Sequence, residues 1–230
     1  MIITSGRDVS FEAEKNKVIV GARSGNPVAK DWQGLQMYSS STANLFGLDL
    51  RYAGKTFRAP NANMWDLKVS QAIRSDSATL NIDNSIFIDS GDSNIYLSKS
   101  TSTIKNSDFK NGLLAIENFD GNLEMENINL NNFTNSNGSI YIKNIWPKMS
   151  QINFSGNTAN NITIDQTVIS SDLIVNKNIP IAWQNITIAP NVTVDVSAGT
   201  NIKMPEFSYL LVKGTLNLNG TESEPVTITP

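Results

Sequence analysis

The chain is built on a short repeat. In six segments an apolar residue is followed two positions later by a polar residue or Gly, and three positions beyond that by a second apolar residue. They cover residues 45–50, 64–69, 82–87, 104–109, 125–130 and 149–154, at steps of 18 to 24 residues. The apolar runs are too short for helical repeats, and a unit of this size buries its apolar side only by stacking on its neighbours. The sequence therefore predicts an all-β solenoid, a single-stranded parallel β-helix with about 18–24 residues per coil.

Two positions of the repeat predict a corner and a core. Coils that stack in register place Asn84, Asn106 and Asn127 above one another. Their side-chain amides can then donate and accept along the solenoid axis, which predicts an Asn ladder. The last position of the pattern is apolar in every segment, and it places Phe87 next to Phe109 in an inward stack.

A second short strand is predicted in most coils. Alternation along this strand turns its aliphatic residues inward and its intervening residues outward. The predicted outer row consists of Tyr96, Ala115, Tyr141 and Thr163.

Three aromatic residues are the predicted ligand contacts. Tyr96 and Tyr141 stand two coils apart, roughly 10 Å along the axis, and form a shallow step on which a sugar face can stack. Trp146, beside Pro147 in a corner loop, is the third candidate. Tyr is also common on exposed strands, so a purely structural role for both tyrosines stays open.

Composition excludes several classes of chemistry. The 230 residues include neither His nor Cys, which rules out disulfides, His-based nucleophile systems and zinc sites built on these residues. The formal net charge is −3 and no run of Lys and Arg occurs, so no nucleic-acid partner is predicted. No apolar stretch approaches the length of about 18 residues typical of a membrane helix, so no membrane insertion is predicted.

A few carboxylates are weak candidates for catalysis. They are Asp83, Asp89 and Asp92, with Arg74 one coil earlier. Asp89 and Asp92 share the turn Asp-Ser-Gly-Asp, which could hold two carboxylates together, as an oxygen-ligand site for Ca²⁺ requires. The same tetrapeptide is ordinary turn chemistry, in which Asp caps its own backbone, and this interpretation is favoured. We therefore predict no catalytic residue, no metal site and no cofactor, with Ca²⁺ as a secondary option.

The most specific motifs lie towards the two ends of the chain. The strings ITIAPNVTVDV (186–196) and LLVKGTLNLNGTESEPVTIT (210–229) resemble the opening coils of bacterial extracellular right-handed parallel β-helix proteins of the pectate-lyase-like superfamily. Residues 2–6, 31–35 and 51–54 resemble the coils that follow in that pattern. The resemblance implies a right-handed helix, an extracellular or cell-surface location and two units. Late coils of one unit would occupy 1–172, and a connection with the first coils of the next unit would occupy 173–230.

The resemblance does not by itself determine a function. Parallel β-helices include polysaccharide lyases, polysaccharide hydrolases, phage tailspikes and non-catalytic adhesins. We expect a non-catalytic structural and binding module of a secreted or cell-surface protein, adhesin-like, whose partners are a polysaccharide or surface polymer and neighbouring β-helix units of the same chain. The alternative is a polysaccharide lyase or glycoside hydrolase fragment with a carboxylate-based site, and a spacer without a site also stays open.

Overall fold

The structure is a computed structural model, and it describes residues 2–3, 8–11, 18–21, 26–55 and 70–230. The described part of the chain is all-β and forms a parallel β-solenoid of about seven turns, so the predicted fold class is confirmed. This part contains no helix long and apolar enough to cross a membrane.

The strands are short, and most are separated by Gly, Asn, Asp or Ser. In chain order the first twelve are β1 (Ile2–Ile3), β2 (Asp8–Phe11), β3 (Val18–Val20), β4 (Leu35–Tyr38), β5 (Thr42–Phe46), β6 (Leu48–Arg51), β7 (Ile73–Asp76), β8 (Thr79–Asp83), β9 (Ile86–Ile88), β10 (Ser93–Ser98), β11 (Thr101–Gly112) and β12 (Leu114–Phe119). The others are β13 (Asn122–Phe133), β14 (Ile140–Lys143), β15 (Lys148–Ser155), β16 (Ile162–Asp165), β17 (Val168–Ile169), β18 (Leu173–Val175), β19 (Ile181–Gln184), β20 (Ile186–Ile188), β21 (Thr193–Val196), β22 (Asn201–Lys203), β23 (Leu210–Val212), β24 (Thr215–Leu218) and β25 (Thr227–Thr229).

One wall of the solenoid is a ten-stranded parallel sheet. Its order is β1-β4-β7-β10-β12-β14-β16-β19-β22-β25. Within it Ile95 aligns with Ile73 on one side and with Ile116 on the other, followed by Ile140 and Ile162. These steps of 21 to 24 residues match the predicted coil length.

The remaining walls change along the axis. A nine-stranded sheet with the path β2-β5-β8-β11-β9-β6-β3 also includes β13 and β15. Beyond β15 the walls are two three-stranded sheets, β17-β20-β23 and β18-β21-β24. The ten-stranded sheet passes the predicted division at 172 and 173 without interruption, because Ile162 of β16 pairs with Ile181 of β19.

The interior is a continuous apolar core. Leu50, Phe87, Phe109 and Leu130 lie in register on successive coils and are fully buried. The rings of Phe87 and Phe109 are stacked, with centroids 4.9 Å apart and planes 6° from parallel. This confirms the inward stack that the repeat predicted.

One predicted coil, the segment 64–69, lies outside the described residues. Strand β5 pairs directly with β8, with Leu45 opposite Ile82, and β6 pairs directly with β9.

The predicted corner exists, but its ladder differs in one member. Asn84, Asn106 and Asn127 all have positive φ, at 47°, 47° and 53°, a conformation that Asn tolerates better than most residues. Asn127 donates to Asn106 at 2.9 Å, as predicted. Asn106 instead donates to the carboxylate of Asp83, at 2.9 Å, so Asp83 takes the place predicted for Asn84. A carboxylate accepts more strongly than a neutral amide, which favours this exchange.

Candidate functional site

The outer face of the ten-stranded sheet carries the candidate site. Strand alternation buries Ile95 and Leu97 completely and turns Tyr96 outward, where it is half-buried. The backbone register then places Arg74 and Tyr96 side by side on neighbouring coils. One outward column therefore runs along the sheet through Arg74, Tyr96, Glu117, Tyr141 and Thr163.

The residue between the two tyrosines is not the predicted one. Glu117 pairs with Tyr96 on one side and with Tyr141 on the other. Ala115 lies two positions earlier along β12 and is fully buried. The step of 21 residues from Ile95 to Ile116 could have revealed this register, since it aligns Tyr96 with Glu117.

Three rings form an aromatic row along this face. Phe119, two residues after Glu117, is half-buried on the same side of β12. Its ring centroid lies 5.4 Å from that of Tyr96 and 5.8 Å from that of Tyr141, with interplanar angles of 32° and 48°. Such tilted pairs are favourable arrangements of aromatic quadrupoles. The repeat pattern predicted both tyrosines on this face but not Phe119, whose ring joins them into one continuous surface.

Charged groups hold both ends of the aromatic row. The guanidinium carbon of Arg74 lies 4.6 Å from the ring centroid of Tyr96, a cation–π contact. The same guanidinium forms an ion pair of 2.6 Å with Asp76, and the Arg74 side chain is only 9% exposed. At the other end, the hydroxyl of Tyr141 donates to Oδ2 of Asp165 at 2.5 Å. The rings are therefore held in fixed positions.

Both tyrosine hydroxyls are protonated at neutral pH. Burial raises the pKa of Tyr96, and nearby acidic groups such as Asp76 raise it further against the charge of Arg74. The pKa of Tyr141 is raised strongly, first by burial and then by its hydrogen bond to Asp165. A phenol with a raised pKa is a hydrogen-bond donor and a poor general base. Neither ring is thus suited to abstract a proton.

Glu117 is a carboxyl group among aromatic rings. Burial raises its pKa, and the negative charge of Asp92 raises it further, whereas the hydroxyl of Ser93 and the charge of Arg74 lower it. Among the residues that the structure describes, no ion pair includes Glu117. The outer face therefore presents a carboxyl group without a cationic side chain bound to it.

Two of the candidate catalytic carboxylates belong to ladders at separate corners. Asp83 accepts the bond from Asn106 described above. Asp89 accepts a hydrogen bond of 2.7 Å from the amide of Asn111, and Asp89 itself has a positive φ of 55°. Both contacts join side chains on neighbouring coils. Asp83 ends β8 and Asp89 follows β9, so strand β9 separates the two carboxylates.

The third carboxylate, Asp92, lies closer to the aromatic row. It forms an ion pair of 3.0 Å with Lys30 and accepts a hydrogen bond from the Ser70 hydroxyl. Burial pushes its pKa upward, but these two hydrogen bonds and the charge of Lys30 lower it overall. Within the described ranges, no three acidic side chains are grouped to hold a metal ion.

Trp146 is half-buried at a corner of the solenoid. Its ring packs edge-on against the buried ring of Trp183, with centroids 6.4 Å apart and planes at 81°. It also lines a shallow groove of 330 Å³ with Thr101, Glu124 and Lys148 among its other walls. This groove lies on the outer side of β11 and β13, so Trp146 is on a different wall from the aromatic row.

No protein-family model matches the chain, and comparisons with curated proteins and with solved structures found no significant match.

Proposed function

We propose that this chain is a non-catalytic structural and binding module that holds a carbohydrate or similar surface polymer against the outer face of its ten-stranded sheet. The observation that carries the proposal is the aromatic row of Tyr96, Phe119 and Tyr141. Solenoid folds commonly bind extended partners along a wall made by successive repeats. A row that follows the axis suits a linear polymer better than a compact ligand.

The chemistry of the row matches a sugar. Aromatic rings pack on the apolar C–H face of a pyranose, and polar groups at their margins accept or donate hydrogen bonds. Tyr96 and Tyr141 are separated by two strand spacings, roughly 10 Å. Two residues of an extended polysaccharide span a similar length, so each tyrosine would contact one end of a disaccharide unit.

The resemblance at the two ends of the chain supports a proposal for the kind of protein to which this module belongs. We place the module in a secreted or cell-surface bacterial protein of the pectate-lyase-like superfamily, adhesin-like, beside further β-helix units. Motif similarity at 186–196 and 210–229 supports this assignment. Trp146 offers a further contact for a polymer that passes from one wall to the next.

A glycan array with matched variants tests the binding role. The double variant Tyr96→Ala/Tyr141→Ala is compared with Tyr209→Ala, which truncates a ring that is 53% exposed near β23. We expect the double variant to lose binding by about tenfold or more, because it removes two stacking rings, aromatic stacking is worth about 0.5–1.5 kcal/mol per ring, and about 1.4 kcal/mol corresponds to a tenfold change in affinity. The control should bind normally. Equal binding by all three proteins would overturn the proposal.

One observation favours an enzyme as a second candidate. Burial raises the pKa of Glu117, whereas for nearby Asp92 burial is outweighed by hydrogen bonds from Ser70 and Lys30, which lower its pKa. Carboxyl groups whose pKa values differ in this direction occur in glycoside hydrolases. A hydrolase is favoured over a lyase, because a lyase needs a side chain that abstracts a proton from the sugar. The tyrosine hydroxyls have raised pKa values and Arg74 is paired with Asp76, so none of them suits that role. Release of reducing ends that disappears in Glu117→Gln and Asp92→Asn would establish it. Release of unsaturated ends would indicate a lyase instead.

A further inference from the structure

We infer that the outer face selects polymers with a free ammonium group, such as amino sugars, and that Glu117 is the residue that recognises the charge. This inference rests on the proposed function, and it names the ligand class for the same surface. Three observations support it: Glu117 lies in the middle of the aromatic row, Arg74 and Lys30 are paired with other carboxylates, and further acidic groups lie near the row.

Glu117 occupies the centre of the row. It lies one strand spacing, about 4.8 Å, from Tyr96 on one side and from Tyr141 on the other. An ammonium group bound to its carboxylate would therefore lie beside the rings of both tyrosines. Cations bind favourably to such rings, and the contact of Arg74 with Tyr96 at 4.6 Å shows that this row already accepts one.

Two of the nearby cations are paired with carboxylates other than Glu117. Arg74 is paired with Asp76 at 2.6 Å, and Lys30 is paired with Asp92 at 3.0 Å. A third cation, Lys143, is aligned with Phe119 and lies two positions along the strand from the column that contains Glu117. The charge of Glu117 is thus left for a ligand to neutralise. Partial burial strengthens such a pairing, because the effective dielectric constant is lower than in water.

The sign of the charge on this face disfavours acidic polymers. Asp165, which is buried at the end of the row, adds a second carboxylate beside Tyr141. A polyuronate chain that followed the row would bring its own carboxylates against Glu117 and Asp165. Like charges at such distances repel, so uronate polymers are the ligand class that this face rejects.

Calorimetric titration of the full chain with three tetrasaccharides tests the inference. The probes are a glucosamine tetramer, its N-acetylated counterpart and a galacturonate tetramer, all at a pH at which both the amine and the carboxyl group of Glu117 are charged. We expect the glucosamine tetramer to bind about tenfold more tightly than the N-acetylated one, and the galacturonate tetramer to bind most weakly. The preference for the amine should decrease as salt is added.

Two variants separate this inference from the proposed function. Glu117→Gln should abolish the preference for the amine while the N-acetylated tetramer binds as before, and Glu206→Gln, which alters an exposed acid elsewhere, should change neither. If Tyr96→Ala/Tyr141→Ala weakens every tetramer but Glu117→Gln keeps the preference, the inference is wrong and the binding role stands. If no tetramer binds, or if the tyrosine variant changes nothing, both are wrong.

Discussion

The side-chain amide of Asn106 donates a hydrogen bond of 2.9 Å to the carboxylate of Asp83 on the preceding coil, and its oxygen accepts one of 2.9 Å from Asn127 on the next. Other ladders repeat this polarity, since their amides donate towards the N-terminal coil and the three-membered ladders end on a carboxylate. The three-membered ladders are Asp83-Asn106-Asn127, Asp89-Asn111-Asn132 and Asp108-Asn129-Asn153. Aligned amides polarise one another, and a charged acceptor gives the strongest terminal bond.

Two substitutions of Asn106 distinguish the contribution of its side-chain hydrogen bonds from that of its left-handed backbone conformation. Asn106→Gly keeps the positive φ accessible and removes both side-chain bonds, whereas Asn106→Ala also forces a Cβ into the left-handed region. We expect Ala to be less stable than Gly by about 1 kcal/mol, measured as the free energy of unfolding in urea. If the two variants have equal stability, the backbone at this corner does not require the left-handed conformation.

Removing one of the stacked rings in the core should lower the free energy of unfolding more than the Asn106 substitutions do. Phe109→Ala should lower the free energy of unfolding by about 3–5 kcal/mol, because Phe109 is fully buried against Phe87 and its removal leaves a cavity. Phe109→Leu, which leaves a smaller cavity, should cost clearly less. Urea titration followed by circular dichroism measures both values. A loss below about 1 kcal/mol in Phe109→Ala would show that the core collapses to fill the space.

The stacking could be predicted from the sequence because the apolar period is a local signal. An inward residue that recurs about every 22 residues packs against its equivalents on the preceding and following coils. Phe87 and Phe109 are such equivalents on neighbouring coils. The order in which coils stack is harder to predict. An apolar residue at the right spacing is necessary for a coil, but the spacing alone does not show that β5 pairs directly with β8.

The candidate site was less predictable, because it depends on register between coils of unequal length. The predicted register of β12 differs from the observed one by two positions, so Glu117 rather than the buried Ala115 lies next to Tyr96. A difference of two positions keeps the same face of the strand outward. The sequence therefore identified Tyr96 and Tyr141 and assigned the wrong neighbour between them. Phe119 was missed because it lies two positions beyond the column of the tyrosines, and the repeat pattern does not show that a ring there contacts both of them.

The pH dependence of stability tests the environment of Glu117. Because its pKa in the folded chain is raised above the ordinary value of 4.5, the folded state binds the proton more tightly than the unfolded state. Stability should therefore decrease as the pH rises from that ordinary value through the raised pKa. Glu117→Gln lacks this titration and should be more stable than the original chain above the window, as measured by thermal unfolding at several pH values. Parallel pH profiles for the two proteins would contradict the assignment.

Tyr141→Phe tests the anchor at the end of the aromatic row. The substitution keeps the ring beside Phe119 and removes the hydroxyl that donates to Asp165 at 2.5 Å. Asp165 is only 4% exposed and keeps a bond of 3.2 Å from Asn185, so it loses one of two side-chain donors. We expect a loss of about 1–3 kcal/mol in the free energy of unfolding, since a buried carboxylate becomes less satisfied.

Measuring sugar binding distinguishes the role of the Tyr141 ring from that of the Tyr141 hydroxyl. Tyr141→Phe should bind oligosaccharides nearly as well as the original chain, because the ring that stacks on the sugar remains. Tyr209→Phe, at an exposed position, serves as the control and should leave both stability and binding unchanged. Loss of binding in Tyr141→Phe without loss of stability would assign the hydroxyl to the ligand rather than to Asp165.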